Sequence, residues 1–197
     1  DFSRISYGYH VSVTPLQVAC AYCAIANGGV LMEPQLLKSM MADNGATTHT
    51  FKQKEVRRVI KPETAVKMRE ALATVVDVKG TARRAKVEGF SVAGKTGTTV
   101  KIHPQGGYYN GENDREKRYT VSFAGMMPAE NPEFVCVVVI DDPKMPDAEE
   151  GMPKVTPGGG SVAAPIFSKV ASRVGNLMGL KPSHQDDDAQ PLAKSDQ

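Results

Sequence analysis

Residues 134–141 read FVCVVVID, seven apolar residues followed by a single carboxylate. A run this short and this rich in β-branched side chains predicts a strand, and apolar residues at both odd and even positions predict burial on both of its faces. Such a strand needs neighbours. Two further runs supply them, FSVAGKTGTTV over 90–100 and YTVSFAGMM over 119–127, each rich in β-branched or aromatic residues and bounded by Gly, Pro or Asn.

Helical spacing surrounds this block. Thr14 is placed to cap a helix over about 15–27, with Pro15 at its first position and Asn27, Gly28 and Gly29 as a left-handed stop, and Leu16, Ala19, Cys20 and Cys23 recur along it. PETAVKMREALATVV at 62–76 repeats the pattern through Ala65, Met68, Leu72 and Val75. VAAPIFSKVASRVGNLMG at 162–179 predicts a third helix with Ala163, Ile166, Phe167, Val170, Val174 and Leu177 inward. Segregated strands joined by short connections predict an α+β fold, an antiparallel sheet with packed helices. The polar stretch 101–118 is expected to be a mobile loop beside a site, and 181–197 a disordered tail in which Asp186 to Asp188 only add solubility.

Composition excludes more than it selects. With 24 basic and 22 acidic residues among 197 the net charge is +2, too even to imply a nucleic-acid or membrane-surface partner. No run approaches 18 apolar residues, and DFSRISYGYH has no secretory-signal pattern; Asp1 need not be a natural start. Cys20, Cys23 and Cys136 are too few for a disulfide framework. CAYC has the spacing of redox and zinc sites, but no second pair follows it and the four His are scattered, so the two thiols are expected to be small buried residues on a helix face and no metal is expected.

GFSVAGKT at 89–96 matches the phosphate-binding loop G-x-x-x-x-G-K-[ST], and Asp141 after an apolar strand imitates its magnesium partner. That loop must turn helical at its Lys so that a helix N-terminus faces the phosphates. Here Lys95-Thr96 runs into Gly97, Thr98, Thr99 and Val100, and Pro104 follows, so a strand is expected in place of the helix. No nucleotide or other cofactor is expected.

On a strand the same residues offer different chemistry. Gly94 and Gly97 let another backbone approach, as when a peptide adds itself to a sheet edge. Alternation puts the Thr96 and Thr98 hydroxyls on one face, beside edge amides suited to a carboxylate or an oxyanion. It also points Lys95 the other way, so Lys95 joins them only by reaching around the edge; otherwise it is a surface charge.

AGKTGTT resembles the Lys-Thr-Gly motif of penicillin-recognising serine enzymes. SYGYHVSVTPLQVACAYCAIANGG, RRVIKPETAVKMREAL, SFAGMMPAENPEFVCVVVIDDP and GGGSVAAPIF, in this order, resemble the C-terminal half of the transpeptidase domain of class B penicillin-binding proteins, over roughly residues 5–180; division-type and elongation-type members are similar here, and the division type is the favoured reading. The resemblance implies a partial penicillin-binding/serine β-lactamase-like fold. In that family a Ser attacks the carbonyl between two D-Ala residues of a peptidoglycan stem peptide, releases the terminal D-Ala and passes the acyl group to an amine; β-lactams imitate the donor. Carried onto this chain, Lys95 orders the Ser hydroxyl of a Ser-x-Asn-type motif and attracts the substrate carboxylate, Thr96 and Thr98 hydrogen-bond it, Gly97 permits close approach, and the Thr98 backbone N–H is half of the oxyanion hole. The implied location is the periplasmic side of the inner membrane, with other cell-wall synthesis proteins as partners.

One departure is large. No Ser of the chain has Lys three places on, and no convincing Ser-x-Asn candidate is present. The nucleophile is therefore expected on a segment upstream of Asp1, and this polypeptide alone is expected not to acylate. A β-lactamase or carboxypeptidase of the same superfamily, or a binding module without chemistry, stands as the alternative.

Overall fold

The computed structural model describes residue 8 and residues 11–103, 109, 117–145 and 157–182. The SYGYH block, most of the 101–118 connection and the tail from 183 onward lie largely or wholly outside the described residues.

Three helices, α1 (Pro15–Ala26), α2 (Pro62–Ala73) and α3 (Ala164–Leu177), pack on an antiparallel sheet of β5 (Ala93–Val100), β6 (Tyr119–Met127) and β7 (Phe134–Asp141), in the order β5-β6-β7. Between α1 and α2 the chain makes two antiparallel ribbons, β1 (Val30–Met32) with β4 (Glu55–Arg58), and β2 (Ser39–Met41) with β3 (Thr47–Thr50). The α+β architecture expected from the sequence is the one observed.

α1 starts where its cap predicts. The Thr14 hydroxyl accepts from Gln17 N–H at 3.2 Å while Thr14 N–H donates to the Gln17 side chain at 2.8 Å, so two N-terminal donors are satisfied reciprocally. At the other end Gly28 and Gly29 take positive φ. Asn27 does not: it stays at φ −96 and acts through its side chain, which bonds both the N–H and the carbonyl of Val30.

The strand alternation sorts the core into two layers. Phe123 and Met127 of β6 face α3, where Phe167 meets Phe123 edge-on at 4.8 Å between ring centroids. Met126 of β6 and Ala93 of β5 face the other way, onto Leu72 of α2 and Tyr22 and Ile25 of α1. The sheet is therefore covered on both faces by helices.

Gly94 and Gly125 lie opposite one another in the β5–β6 register, and their lack of side chains is a packing requirement. A Cβ at Gly94 would stand 2.5 Å from the Phe123 ring, and one at Gly125 would stand 2.7 Å from Phe123 and 2.9 Å from Phe167. The glycine that completes the apparent phosphate-loop pattern makes room for a phenyl ring.

Four expectations need correction. FVCVVVID is half-buried along most of its length and Val139 is 42% exposed, because among the described residues β7 is the sheet's outer strand, with a neighbour only on the β6 side. α2 stops at Ala73, earlier than expected: Thr74, Val75 and Val76 are β-branched in succession, and the Thr74 hydroxyl donates back to the Ala71 carbonyl. Its expected inner residue Met68 is exposed, as is Leu16 of α1. On α3 the buried residues are Ala164, Phe167, Ala171 and Gly175, whereas Ile166, Val170 and Leu177 are exposed. The sheet already presents bulky Phe123 and Met127, so the helix approaches along its small residues.

The Cys pair is the fourth correction. Cys20 is half-buried and Cys23 is exposed, not enclosed as expected, because α1 turns Ala24 and Ile25 to the sheet. Desolvation, followed by the charge of Cys20, pushes the Cys23 thiol above its ordinary range.

The outer ends of the strands are clasped by charge. Lys101 Nζ lies 2.6 Å from Asp141 and the Thr120 hydroxyl donates to the same carboxylate at 2.8 Å; these two bonds, Lys101 first, hold the Asp141 carboxyl below its ordinary range. A depressed carboxyl pKa contributes stability above the unfolded value, about 3.9, and loses it as pH falls through the lower folded value. Protection of the neighbouring Lys101 and Asp142 amides against hydrogen exchange should therefore fall below about pH 4. In Asp141→Asn it should be low at every pH.

Candidate active site

β5 carries AGKTGTTV in extended conformation along the margin of the sheet, with β6 on one side of it. No helix begins at Lys95. A phosphate loop requires one, so the strand expected from Gly97, Thr98, Thr99 and Val100 is observed, and the two hydroxyls and the Lys lie in line along an edge.

The register decides which side chain faces where. Thr96 pairs with Phe123 and Thr98 with Val121, so both Thr are on the α3 face, while Lys95 pairs with Ala124 and emerges on the opposite face. Lys95 nevertheless joins them. Its Nζ donates to the Thr96 carbonyl at 3.1 Å and to the Thr96 hydroxyl at 3.4 Å, which is the reach around the edge that the sequence left conditional. Lys95 and Thr98 are exposed and Thr96 and Gly97 half-buried, so the group is open to an incoming molecule.

Behind the edge lies a turn of three glycines. The segment Gly159–Ala163 forms one wide helical turn leading into α3, and it packs onto β5 so closely that a Cβ on Gly159 would stand 2.3 Å from the Ser122 carbonyl oxygen and 2.8 Å from that of Gly97. Backbone atoms cannot yield there, which makes glycine a requirement. From this position Gly159 N–H donates to the Thr98 hydroxyl at 3.1 Å. Arg84 braces the same turn by donating to the Ser161 carbonyl at 3.1 Å.

Thr81 is the fourth polar group at the edge, its hydroxyl 3.4 Å from that of Thr96. Neither Thr81 nor Gly159 was singled out from the sequence, since they lie 15 and 61 residues from their partners and only tertiary packing unites them. The run GGG at 158–160 was the available signal, marking a close backbone approach.

An ammonium, two strand hydroxyls and edge amides are donors of the kind that an anionic group accepts from, and no acidic side chain is among these four residues. Among the described residues no group of three or more His, Cys, Asp or Glu is placed to hold a metal ion. A cleft of about 740 Å³ lies elsewhere, between the end of α1, the β-ribbons and the start of β7, lined by Ala26, Leu36, Phe51 and Phe134 among others. Lys95, Thr96, Gly97 and Thr98 take no part in it.

The sequence pattern of the penicillin-binding protein transpeptidase domain matches residues 1–172. The chain belongs to the penicillin-binding protein transpeptidase family. It is 37% identical over 178 residues to penicillin-binding protein PbpB of Mycolicibacterium smegmatis, covering 87% of this chain and 25% of that protein. It is 32% identical over 181 residues to the probable peptidoglycan D,D-transpeptidase PenA of Neisseria flavescens, covering 92% of this chain and 38% of the relative. Among solved structures, penicillin-binding protein 3 of Mycobacterium tuberculosis complexed with ampicillin superimposes with a TM-score of 0.74 at 31% identity, over 94% of this chain and 39% of that one. The chain thus spans about a quarter to two-fifths of the length of these relatives.

Proposed function

We propose that this chain is the substrate-carboxylate half of a serine-type peptidoglycan D,D-transpeptidase, acting in the cell envelope on the periplasmic side of the inner membrane. The observation that carries this reading is the reach of Lys95 Nζ around the β5 edge to the Thr96 hydroxyl. It unites the cation with the hydroxyls that the sheet alternation separates. The family membership and the relatives named D,D-transpeptidase or complexed with ampicillin support it.

A stem peptide ending in D-Ala-D-Ala lies along β5 as an added strand, its terminal carboxylate held by Lys95, Thr96 and Thr98. Gly97 carries no side chain, so the donor backbone can approach the strand closely there. The Thr98 N–H supplies one donor to the carbonyl oxygen as it becomes tetrahedral. A Ser nucleophile and its activating Lys come from a part of the protein outside these residues, since no Ser here is followed three places on by Lys. β-Lactams take the same place, their carboxylate in the position of the terminal D-Ala carboxylate. Other cell-wall synthesis proteins and the rest of the transpeptidase domain are the partners this role requires, and the division machinery is the favoured setting.

Fluorescent penicillin tests this directly. Applied to the full-length protein it should label a serine outside residues 1–197; applied to this chain alone it should label nothing. Covalent labelling of the isolated chain would contradict the assignment of the nucleophile.

A further inference from the structure

We propose that Thr81 is a positioning residue that, together with the Gly159 N–H, orients the strand hydroxyls as hydrogen-bond donors toward the bound carboxylate. The inference rests on the carboxylate reading of the β5 edge and adds to it a residue that lies outside the Lys-Thr-Gly-Thr run.

The argument is one of hydrogen-bond polarity. A hydroxyl has one hydrogen to give and two lone pairs to receive. Gly159 N–H can only donate, so the Thr98 oxygen is committed as its acceptor at 3.1 Å and the Thr98 hydrogen is left to point away from the turn. Lys95 Nζ can only donate as well, so the Thr96 oxygen accepts from it. The Thr81 hydroxyl lies 3.4 Å from the same oxygen, and either of the two is able to donate. When an anion arrives, the Thr96 hydrogen turns toward it, and Thr81 donates into the lone pair of Thr96 that Lys95 leaves open. Both strand hydroxyls then present hydrogens outward. The long separation is one that closes with ligand in place.

Thr81 is held for this task by packing. A Cβ on Gly160 would stand 2.1 Å from the Thr81 carbonyl oxygen, so the three-glycine turn lies directly against the Thr81 backbone. The next residue, Ala82, is fully buried and donates to the Val75 carbonyl at 2.9 Å. The turn that orients Thr98 thus also presses on the residue that orients Thr96. One loop, through two glycines, sets the direction of both hydroxyls.

A ligand whose terminal carboxylate is converted to an ester or amide loses its charge and puts a bulkier group against two fixed donors. The edge should therefore discriminate strongly between an acid and its ester, and Thr81 should matter for the acid only. The test uses the full-length protein and two probes, a fluorescent penicillin with its free carboxylate and the methyl ester of the same compound, with second-order acylation rates measured for wild type, Thr81→Val and Thr81→Ser.

The expected result is a loss of about three- to tenfold for Thr81→Val on the acid, the effect of one hydrogen bond, with Thr81→Ser near wild type and the slow ester rate changed less than about twofold. Equal losses on both probes, or no loss on either, would overturn the role of Thr81. If instead wild type shows no preference for the acid over the ester, it is the carboxylate reading itself that fails, and the role built on it falls as well.

Discussion

Lys95→Ala in the full-length protein should lower the rate of acylation by a fluorescent penicillin on the order of 10²–10³-fold, the loss typical of removing one preorganised donor at developing charge. The size follows from position. Lys95 supplies the only charge in the group formed with Thr81, Thr96 and Thr98, and its Nζ sits at the Thr96 hydroxyl, the point proposed to receive the substrate carboxylate. Its side chain is exposed, so thermal stability should stay within about 0.5 kcal/mol of wild type. Lys95→Arg keeps the charge, but its planar fork does not reproduce the two Lys bonds to Thr96, and an intermediate rate is expected. Acylation of Lys95→Ala within threefold of wild type would mean that the strand edge does not bind the acyl donor.

Phe167→Ala should destabilise the protein by about 3–5 kcal/mol. Phe167 is fully buried, meets Phe123 edge-on, and occupies the space above Gly125, where a Cβ would stand 2.9 Å from its ring. Removing it leaves a hole between α3 and the sheet that the close-packed backbone of β6 cannot fill. A loss of this size is a large share of the 5–15 kcal/mol that holds a domain folded. It should appear as a fall in melting temperature of about 6–20 °C. Because α3 begins directly after the turn carrying Gly159, Phe167→Ala should also loosen the Thr98 hydroxyl, and acylation should fall even in the fraction that remains folded.

The strands were legible in the sequence because their pattern is local. YTVSFAGMM and FVCVVVID occupy the residues expected, whereas β5 begins at Ala93, after Phe90, which forms an isolated bridge to Val87. The helices were legible as helices but not in the faces they bury. Large apolar residues attract the eye as core, yet Ile166, Val170 and Leu177 are exposed while Ala164, Ala171 and Gly175 touch the sheet. Which stripe is buried depends on the bulk opposite, here Phe123 and Met127, and the helix's own periodicity does not contain that information.

The site was legible in part for the same reason. Lys95, Thr96, Gly97 and Thr98 are contiguous, so strand spacing placed the hydroxyls together, and the structure decided the open question of whether Lys95 reaches them. Thr81 and Gly159 are distant in sequence. A Thr after a Gly, and a run of three glycines, carry no sign of the hydroxyls they orient until packing brings them to the edge.

The most direct test of the central claim is a crystal structure of the full-length protein acylated by ampicillin. The drug's carboxylate should lie within hydrogen-bonding distance of the Thr96 and Thr98 hydroxyls, with the Lys95 ammonium beside it and the acyl chain running along β5. A carboxylate bound elsewhere, with the β5 edge left to solvent, would contradict the account.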